Sequence, residues 1–130
     1  MPSRDSLGSL PAPVDRTHLD RLATRFGAHF LIQLIDLFIS QGRERLDAAR
    51  ISIESGDVSA VVAAAHALKS SAGNLGAGPL GQCAADIERR GIGGASAETL
   101  TPMVTRLNEA FTAACAALEI ARVDIERRTV

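Results

Sequence analysis

A helical repeat of apolar residues runs through almost the whole chain from Asp15 onward, interrupted only at short turns. The apolar residues recur at spacings of three and four, which places them on one side of an α-helix, and the alternation typical of a strand is absent. Glycine, proline, serine and aspartate mark the interruptions at 55–57, 76–79 and 91–96. A chain with this pattern is therefore predicted to fold as several amphipathic helices without a sheet.

The turns define five helices. We predict them over about 15–26, 28–54, 58–75, 79–90 and 97–127. Gly56 suits a left-handed helix end, Asp57 suits the start of the third helix, and Pro79 suits the first turn of the fourth. Four long amphipathic helices joined by short turns favour an antiparallel up-down four-helix bundle, with the short first helix as a lid.

Two helices are expected to contribute long apolar sides to the bundle. For the 28–54 helix the predicted apolar side consists of Phe30, Leu31, Leu34, Leu37, Phe38, Ile39, Leu46, Ala49 and Ile53. For the last helix it consists of Leu100, Val104, Leu107, Phe111, Ala114, Leu118 and Ile125. Residues 1–14, rich in Ser, Gly and Pro, are predicted to be a linker or flexible arm, and 15–130 a single bundle domain.

Composition limits the classes of function. The 130 residues carry a formal net charge of −1, without Trp or Tyr, which argues against a nucleic-acid partner. We find no apolar run long enough for a membrane span and no secretory signal, so direct membrane insertion is not expected. Cys83 and Cys115 lie in helical patterns and are predicted to be small core residues, compatible with a cytoplasmic location.

The third helix carries a histidine on its outer side. Its apolar residues are spaced 3-4-3-4-3, and they are Val58, Val61, Ala65, Leu68, Ala72 and Leu75. At 100° per residue, His66 points about 140° away from the centre of this stripe, toward water. His66 is therefore not expected to be a core histidine.

The neighbours of His66 are small or apolar where a solvated helix normally carries charge. They are Val62, Ala63, Ser70 and Gly73. The one nearby cation is Lys69, the only lysine beside thirteen arginines. Gly73 costs the helix about 1 kcal/mol relative to Ala. The pattern indicates a face cleared for a partner, with an ammonium one turn from the imidazole that can reach phosphoryl oxygens.

Other interpretations of His66 remain open at this stage. An exposed helical histidine is often without function, and a face of small residues also suits close packing of another helix. A metal site is disfavoured because His18, His29 and His66 show no i, i+4 pairing and no Cys or carboxylate ligand set. A hydrolase is disfavoured because no Ser, Cys or carboxylate partner is expected to be placed to orient His66. A non-catalytic adaptor bundle is the main alternative.

The segment His66-Ala67-Leu68-Lys69-Ser70-Ser71-Ala72-Gly73-Asn74-Leu75-Gly76-Ala77 resembles the signature of histidine-containing phosphotransfer (HPt) domains. That signature is H-x-L-K-G-S, a small residue, then G-x-x-G-A; Ser70 replaces its first glycine. Phe38 and the pair Ile87-Glu88 also resemble family positions, so the resemblance covers about 20–118. Some members place a Gln on the next helix near the histidine, and Gln82 is the candidate here.

The resemblance implies a phosphorelay intermediate. His66 would accept a phosphoryl group from a receiver-domain aspartate at its Nε2 and pass it to another receiver, with Lys69 as its charge partner. Val62, Ala63, Ser70 and Gly73, with Phe30 and Leu34, would form the docking surface. Receiver domains of response regulators or hybrid kinases would be the partners, and they would supply Mg²⁺, because this domain is expected to bind no cofactor or metal.

The chain shows no phosphate-binding loop and no kinase motif set, so it is expected to be a carrier without an ATP site rather than an enzyme. HPt domains often form the C-terminal module of a hybrid sensor histidine kinase, and the linker-like residues 1–14 agree with such a fusion. Its location would then be cytoplasmic, even if the parent chain is membrane-bound. Several charged positions favour a solvated monomer; they are Arg43, Glu44, Arg45 and Glu88.

Overall fold

The structure is a computed structural model, and it describes residues 12–128. Over this range the chain forms five helices and no strand. They are α1 (Arg16–Phe26), α2 (Ala28–Glu54), α3 (Val58–Leu75), α4 (Gly78–Ile92) and α5 (Ala97–Arg128). The predicted fold class is confirmed, and every predicted helix boundary lies within two residues of the observed one.

Local side-chain and backbone chemistry fixes these boundaries. The carboxylate of Asp15 accepts hydrogen bonds from backbone N–H groups in the first turn of α1, and Asp57 does the same for α3. Such acceptors satisfy donors that have no partner within the helix. Gly76 ends α3 in the left-handed conformation, with φ of 71°, which residues with a Cβ rarely adopt. The chain therefore reverses sharply between α3 and α4.

Helices α2 to α5 form a closed four-helix bundle. Each packs against the next one in the sequence, and α5 packs back against α2. The predicted stripe of α5 is buried throughout, and so is that of α3 except for half-buried Val58. This packing buries one continuous apolar core, as the stripes of amphipathic helices require.

The predicted apolar side of α2 is wrong at two positions. Phe30 and Leu37 are 45% and 50% exposed, whereas Ile35, which was not predicted, is fully buried. The buried residues of α2 include Leu31 and Phe38, and at 100° per residue Leu37 points well over 100° away from the centre of that stripe. Since α2 has more apolar residues than one side can bury, Phe30 and Leu37 remain on the surface.

Helix α1 lies across the end of the bundle where α3 finishes, which confirms the lid. The N–H of Asp15 donates to the carbonyl of Gly76 at 2.9 Å, and Nε2 of His18 contacts the carbonyl oxygen of Asn74 at 2.9 Å. Val14, assigned to the arm, is only 3% exposed and belongs to the core. Packing thus extends at least to Val14, while residues 1–11 of the predicted arm lie outside the described residues.

The α2–α5 interface is closely packed around one aromatic ring. A Cβ atom on Gly42 would lie 2.2 Å from the ring of Phe111, so this position admits only glycine without rearrangement. The rings of Phe38 and Phe111 are 5.6 Å apart, and the guanidinium of Arg43 lies 5.7 Å from the Phe111 ring centre. Close packing against Phe111 therefore explains why a glycine occupies the middle of α2.

Arginine side chains connect α5 to its neighbours. Nε and Nη2 of Arg122 donate to the two carboxylate oxygens of Asp36 on α2, at 3.0 and 3.1 Å. Two further ion pairs join α1 to the end of α5, Arg16–Asp124 at 3.0 Å and Arg128–Asp20 at 3.2 Å. Among residues 12–128, no helix has both the length and the apolar content needed to cross a membrane.

Candidate functional site

His66 lies on the outer side of α3, where the helical phase predicted it. Its side chain is 62% exposed. Val61, Ala65 and Leu68, on the opposite side of the helix, are fully buried in the core. The packing of these residues fixes the rotation of α3 and so keeps the imidazole at the surface.

A carboxylate of the neighbouring helix contacts the imidazole. Nδ1 of His66 pairs with Oε2 of Glu88 on α4, whose side chain is only 15% exposed. An ionised carboxylate only accepts hydrogen bonds, so the proton of the neutral ring lies on Nδ1 and the lone pair on Nε2. Nε2 makes no hydrogen bond or ion pair within the described part of the chain. The arrangement leaves a nucleophilic nitrogen at the exposed edge of the ring.

This contact corrects two expectations from the sequence. We expected no carboxylate to be placed to orient His66, and Glu88 is such a carboxylate. We also counted Glu88 among the solvated charges, whereas both of its oxygens are engaged and its side chain is largely buried. The only indication in the sequence is that the pair Ile87-Glu88 resembles a family position, and this resemblance assigns no role to Glu88.

Lys69 contacts the same carboxylate. Its Nζ donates to Oε1 of Glu88, and its side chain is 39% exposed. The hydrogen bond from Lys69, followed by the one from His66, lowers the pKa of Glu88 below its ordinary value. Lys69 was predicted to stand beside His66 as the charge partner. The structure brings the two together through Glu88 rather than directly.

Close packing of α3 on α4 explains why Glu88 reaches α3. A Cβ atom on Gly91 would lie 2.2 Å from Cγ2 of Val62, so the two helices approach closely here. Gly91 lies about one turn from Glu88 on α4, as Val62 lies about one turn from His66 on α3. Val62, predicted as a docking residue, is half-buried and packs on Gly91.

The other predicted docking residues of α3 are exposed. They are Ala63, Ser70 and Gly73. A Cβ atom on Gly73 would meet no atom within 4 Å, and its backbone is not in the left-handed region. Internal packing therefore does not require glycine at 73, although the residue costs helix stability. This position is open toward any molecule that approaches His66.

Apolar side chains of α2 continue this surface. Leu34 and Leu37 line a depression of about 100 Å³ together with Ser71 and Asn74 of α3. Phe30 lies one turn before Leu34 and is 45% exposed. Phe30 and Leu34 were predicted at the docking surface, and Leu37 was missed because it was assigned to the core. Phe30, Leu34 and Leu37 thus form an apolar strip on α2. This strip neighbours the open face of α3, which consists of Ala63, Ser70 and Gly73.

On its other side, Lys69 borders a groove of about 510 Å³. His18, Gly73 and Gln82 are among the residues that line it. Gln82, the candidate for a hydrogen bond near the histidine, does not contact His66; its amide donates to Asp86 at 3.5 Å. Glu88, one helical turn and more beyond Gln82, contacts the ring instead.

The cysteines lie away from this arrangement. Cys83 and Cys115 are half-buried against the core, and burial raises the pKa of both thiols, that of Cys115 to about 11. Thiols with such pKa values are weak nucleophiles at neutral pH. Among residues 12–128, no three His, Cys, Asp or Glu side chains cluster in a way that could hold a metal ion. The exposed Nε2 of His66 is therefore a better placed nucleophile than either thiol.

The fold and the site define a class of protein: a helical bundle that presents one oriented, exposed histidine on a cleared helix face. The Hpt domain model matches residues 33–121 of the chain. Since the match covers more than half of the sequence, the chain belongs to the Hpt domain family. Hpt domains are phosphotransfer proteins of two-component relays, carriers rather than catalysts, and they interact with receiver domains.

Solved structures agree with this fold. The chain is similar to histidine-containing phosphotransfer protein B (HptB) from Pseudomonas aeruginosa PAO1, with a TM-score of 0.71 and 20% identity over 92% of this chain and 96% of that chain. It is also similar to the HPT domain from the Hpt sensor hybrid histidine kinase from Shewanella, with a TM-score of 0.75 and 12% identity over 87% and 96%. No curated protein matches the sequence.

Proposed function

We propose that this domain is a phosphorelay intermediate that accepts a phosphoryl group on Nε2 of His66 and passes it on. The donor is the aspartyl-phosphate of one receiver domain, and the acceptor is the aspartate of a second receiver. The observation that carries the proposal is the contact of Nδ1 with Glu88, which leaves the lone pair on the exposed Nε2. The family membership supports the same role.

In the first step the Nε2 lone pair attacks phosphorus, and the P–O bond to the receiver aspartate breaks. The aspartate leaves with the bonding electron pair, and Nδ1 keeps its proton. The phosphorylated ring is then positively charged, and the carboxylate of Glu88 stabilises that charge at the Nδ1 side. In the second step a carboxylate oxygen of the second receiver's aspartate attacks phosphorus and forms a P–O bond. The P–N bond breaks, its electron pair returns to Nε2, and a neutral imidazole that still carries its Nδ1 proton leaves.

The partner receivers supply what this domain lacks. Phosphoryl transfer depends chiefly on in-line positioning and on neutralisation of charge. We assign Mg²⁺ to the receiver and Lys69 to the phosphoryl oxygens, and we expect no cofactor on this domain. Such receivers and their Mg²⁺ are found in the cytoplasm, where the proposed role places the domain, alone or as part of a hybrid histidine kinase.

The docking surface consists of the open face of α3 and the apolar strip of α2. Ala63, Ser70 and Gly73 give close access to the ring. Phe30 and Leu37, at 45% and 50% exposed, provide apolar area on the neighbouring helix α2. Small residues around the nucleophile with large apolar side chains at the rim favour a protein partner that buries the strip on docking. We expect a monomer that binds one receiver at a time.

The test is transfer from a phosphorylated receiver in the presence of Mg²⁺ to wild type, His66→Gln and His29→Gln. His29 is exposed on α2 and serves as the matched control. We expect acid-labile, alkali-stable phosphate on wild type and His29→Gln, and a loss of about 100-fold or more in His66→Gln. If wild type takes no label from any of several receivers, the carrier role is wrong, and an adaptor bundle becomes the better hypothesis.

A further inference from the structure

One carboxylate serves both functional side chains of the site. Oε2 of Glu88 pairs with His66, and Oε1 pairs with Lys69. Glu88 is 15% exposed, whereas His66 and Lys69 are 62% and 39% exposed. The carboxylate is thus the recessed and fixed member, and the two partners on α3 are the accessible ones. Before phosphorylation, the ammonium of Lys69 is therefore bound to Glu88. It has to leave this carboxylate in order to bind a phosphoryl group on His66.

Phosphorylation changes the competition for that ammonium. A phosphoryl group brings about two negative charges and three strong acceptor oxygens. It arrives on the residue one helical turn from Lys69, and the lysine carries its charge on a flexible stem. Glu88 carries a single negative charge, and its carboxylate binds the proton on Nδ1 of His66 as well as the ammonium of Lys69. The more strongly charged and more exposed acceptor is therefore favoured for Lys69.

We propose that Glu88 is a positioning residue that holds Lys69 while His66 is free, releases it to the phosphoryl group on His66, and then keeps the ring proton on Nδ1. This inference rests on the proposed function and adds the regulation of that site. Released from the ammonium, the carboxylate binds the Nδ1 proton more strongly. A ring that retains this proton leaves as a neutral imidazole, which makes the phosphorylated domain a better donor.

The charged groups around Glu88 are few. His66 and Lys69, both on α3, are the charged side chains that shift its titration. On its own helix, Arg89 is occupied by Asp86 at 2.7 Å. The protonation of the phosphorylated ring is therefore controlled mainly by Glu88, Lys69 and the phosphoryl group itself.

The first experiment follows the ring proton by ³¹P NMR. Wild type, Glu88→Gln and the control Glu54→Gln, which removes an exposed carboxylate at the end of α2, are phosphorylated with phosphoramidate and titrated. We expect the pH midpoint of the phosphohistidine signal to fall by about one unit in Glu88→Gln alone, because a neutral amide no longer stabilises the ring proton. Equal midpoints in wild type and Glu88→Gln would overturn the proposal.

The second experiment follows the ammonium. Because Lys69 is the only lysine, lysine labelled with ¹⁵N at Nζ gives one side-chain signal. We expect different signals for wild type and Glu88→Gln before phosphorylation, and nearly the same signal for both after it. A wild-type signal that does not change on phosphorylation would mean that Lys69 stays on Glu88, and the release would be wrong.

Failure of the proposed function gives a different result. In that case phosphoramidate labels His66 but phosphorylated receivers do not, and both NMR measurements still decide the role of Glu88. If phosphoramidate labels wild type no better than His66→Gln, the inference and the proposed function are both wrong.

Discussion

The α2–α5 interface and the outer face of α3 both contain a helical glycine and a paired cation. Packing within the fold explains the glycine of the α2–α5 interface but not the glycine of α3. Gly42 is required because Phe111 fills the space of a Cβ, whereas nothing occupies that space at Gly73. The paired cation is an arginine, Arg122, in the first region and the single lysine, Lys69, in the second. An arginine fork suits a fixed pair, and a compact ammonium suits a charge that has to move.

Among variants that compare these two regions, the largest effect is expected at the lysine. Lys69→Gln should slow transfer from a phosphorylated receiver by about 10-fold or more, because the charge on the phosphoryl oxygens loses its partner. Lys69→Arg should give an intermediate rate, since a guanidinium binds the carboxylate of Glu88 with a fork that is released less readily. Arg122→Lys is the control in the other region.

Stopped-flow transfer assays and urea unfolding separate the two regions. Arg122→Lys should lower the free energy of unfolding only slightly, because a surface ion pair contributes little, and it should leave the transfer rate unchanged. If Lys69→Arg transfers as fast as wild type, the distinction between a fixed and a mobile cation does not hold.

The two glycines should respond oppositely to alanine. Gly42→Ala should lower the free energy of unfolding by about 2 kcal/mol, because the new methyl group meets the Phe111 ring. Gly73→Ala should raise it by up to about 1 kcal/mol, because alanine is the better helix former and the space is open.

The same two variants are compared in the transfer assay. Gly73→Ala should slow transfer by a few-fold, as a methyl group now stands between the receiver and the ring, while Gly42→Ala should transfer normally at temperatures where it is folded. A Gly73→Ala variant that is more stable and equally fast would remove the argument that this glycine serves a partner.

The smallest effect is the acid dependence of stability. Since the pKa of Glu88 is lowered in the folded state, its contacts stabilise the fold above the ordinary value of 4.5, and this contribution is lost as the pH falls through the lowered value. Urea unfolding should show wild type more stable than Glu88→Gln at pH 7, with a difference that decreases below about pH 4.5. A difference that remains constant down to pH 3 would contradict the assigned contacts.

The helices and the exposure of His66 could be predicted from the sequence because both depend on neighbours along one chain segment. Asp57 and Gly76 mark the ends of α3, and its apolar stripe fixes which way His66 points. The resemblance to HPt domains added the chemistry. The predictions that failed depend on more than one helix, or on which of several apolar residues a helix buries.

Glu88 is the main example. On α4 alone it looks like a surface charge, and only the close approach of α3 and α4 at Gly91 places it against His66 and Lys69. Leu37 is the second example, since α2 offers more apolar residues than its buried side accepts. Which residues are left out depends on the rotation of α2 in the bundle, and the sequence of α2 does not contain that information.

The short turn between α3 and α4 also bears on how the domain folds. His66 and Glu88 are separated by 22 positions along the chain, whereas each ion pair that joins α1 to α5 spans 108. Contacts of low sequence separation close small loops and cost little chain entropy, so we expect them to form early in folding. The side chains of His66, Lys69 and Glu88 thus lie in a single helical hairpin, and fraying of α1 from the end of α5 should leave their geometry intact.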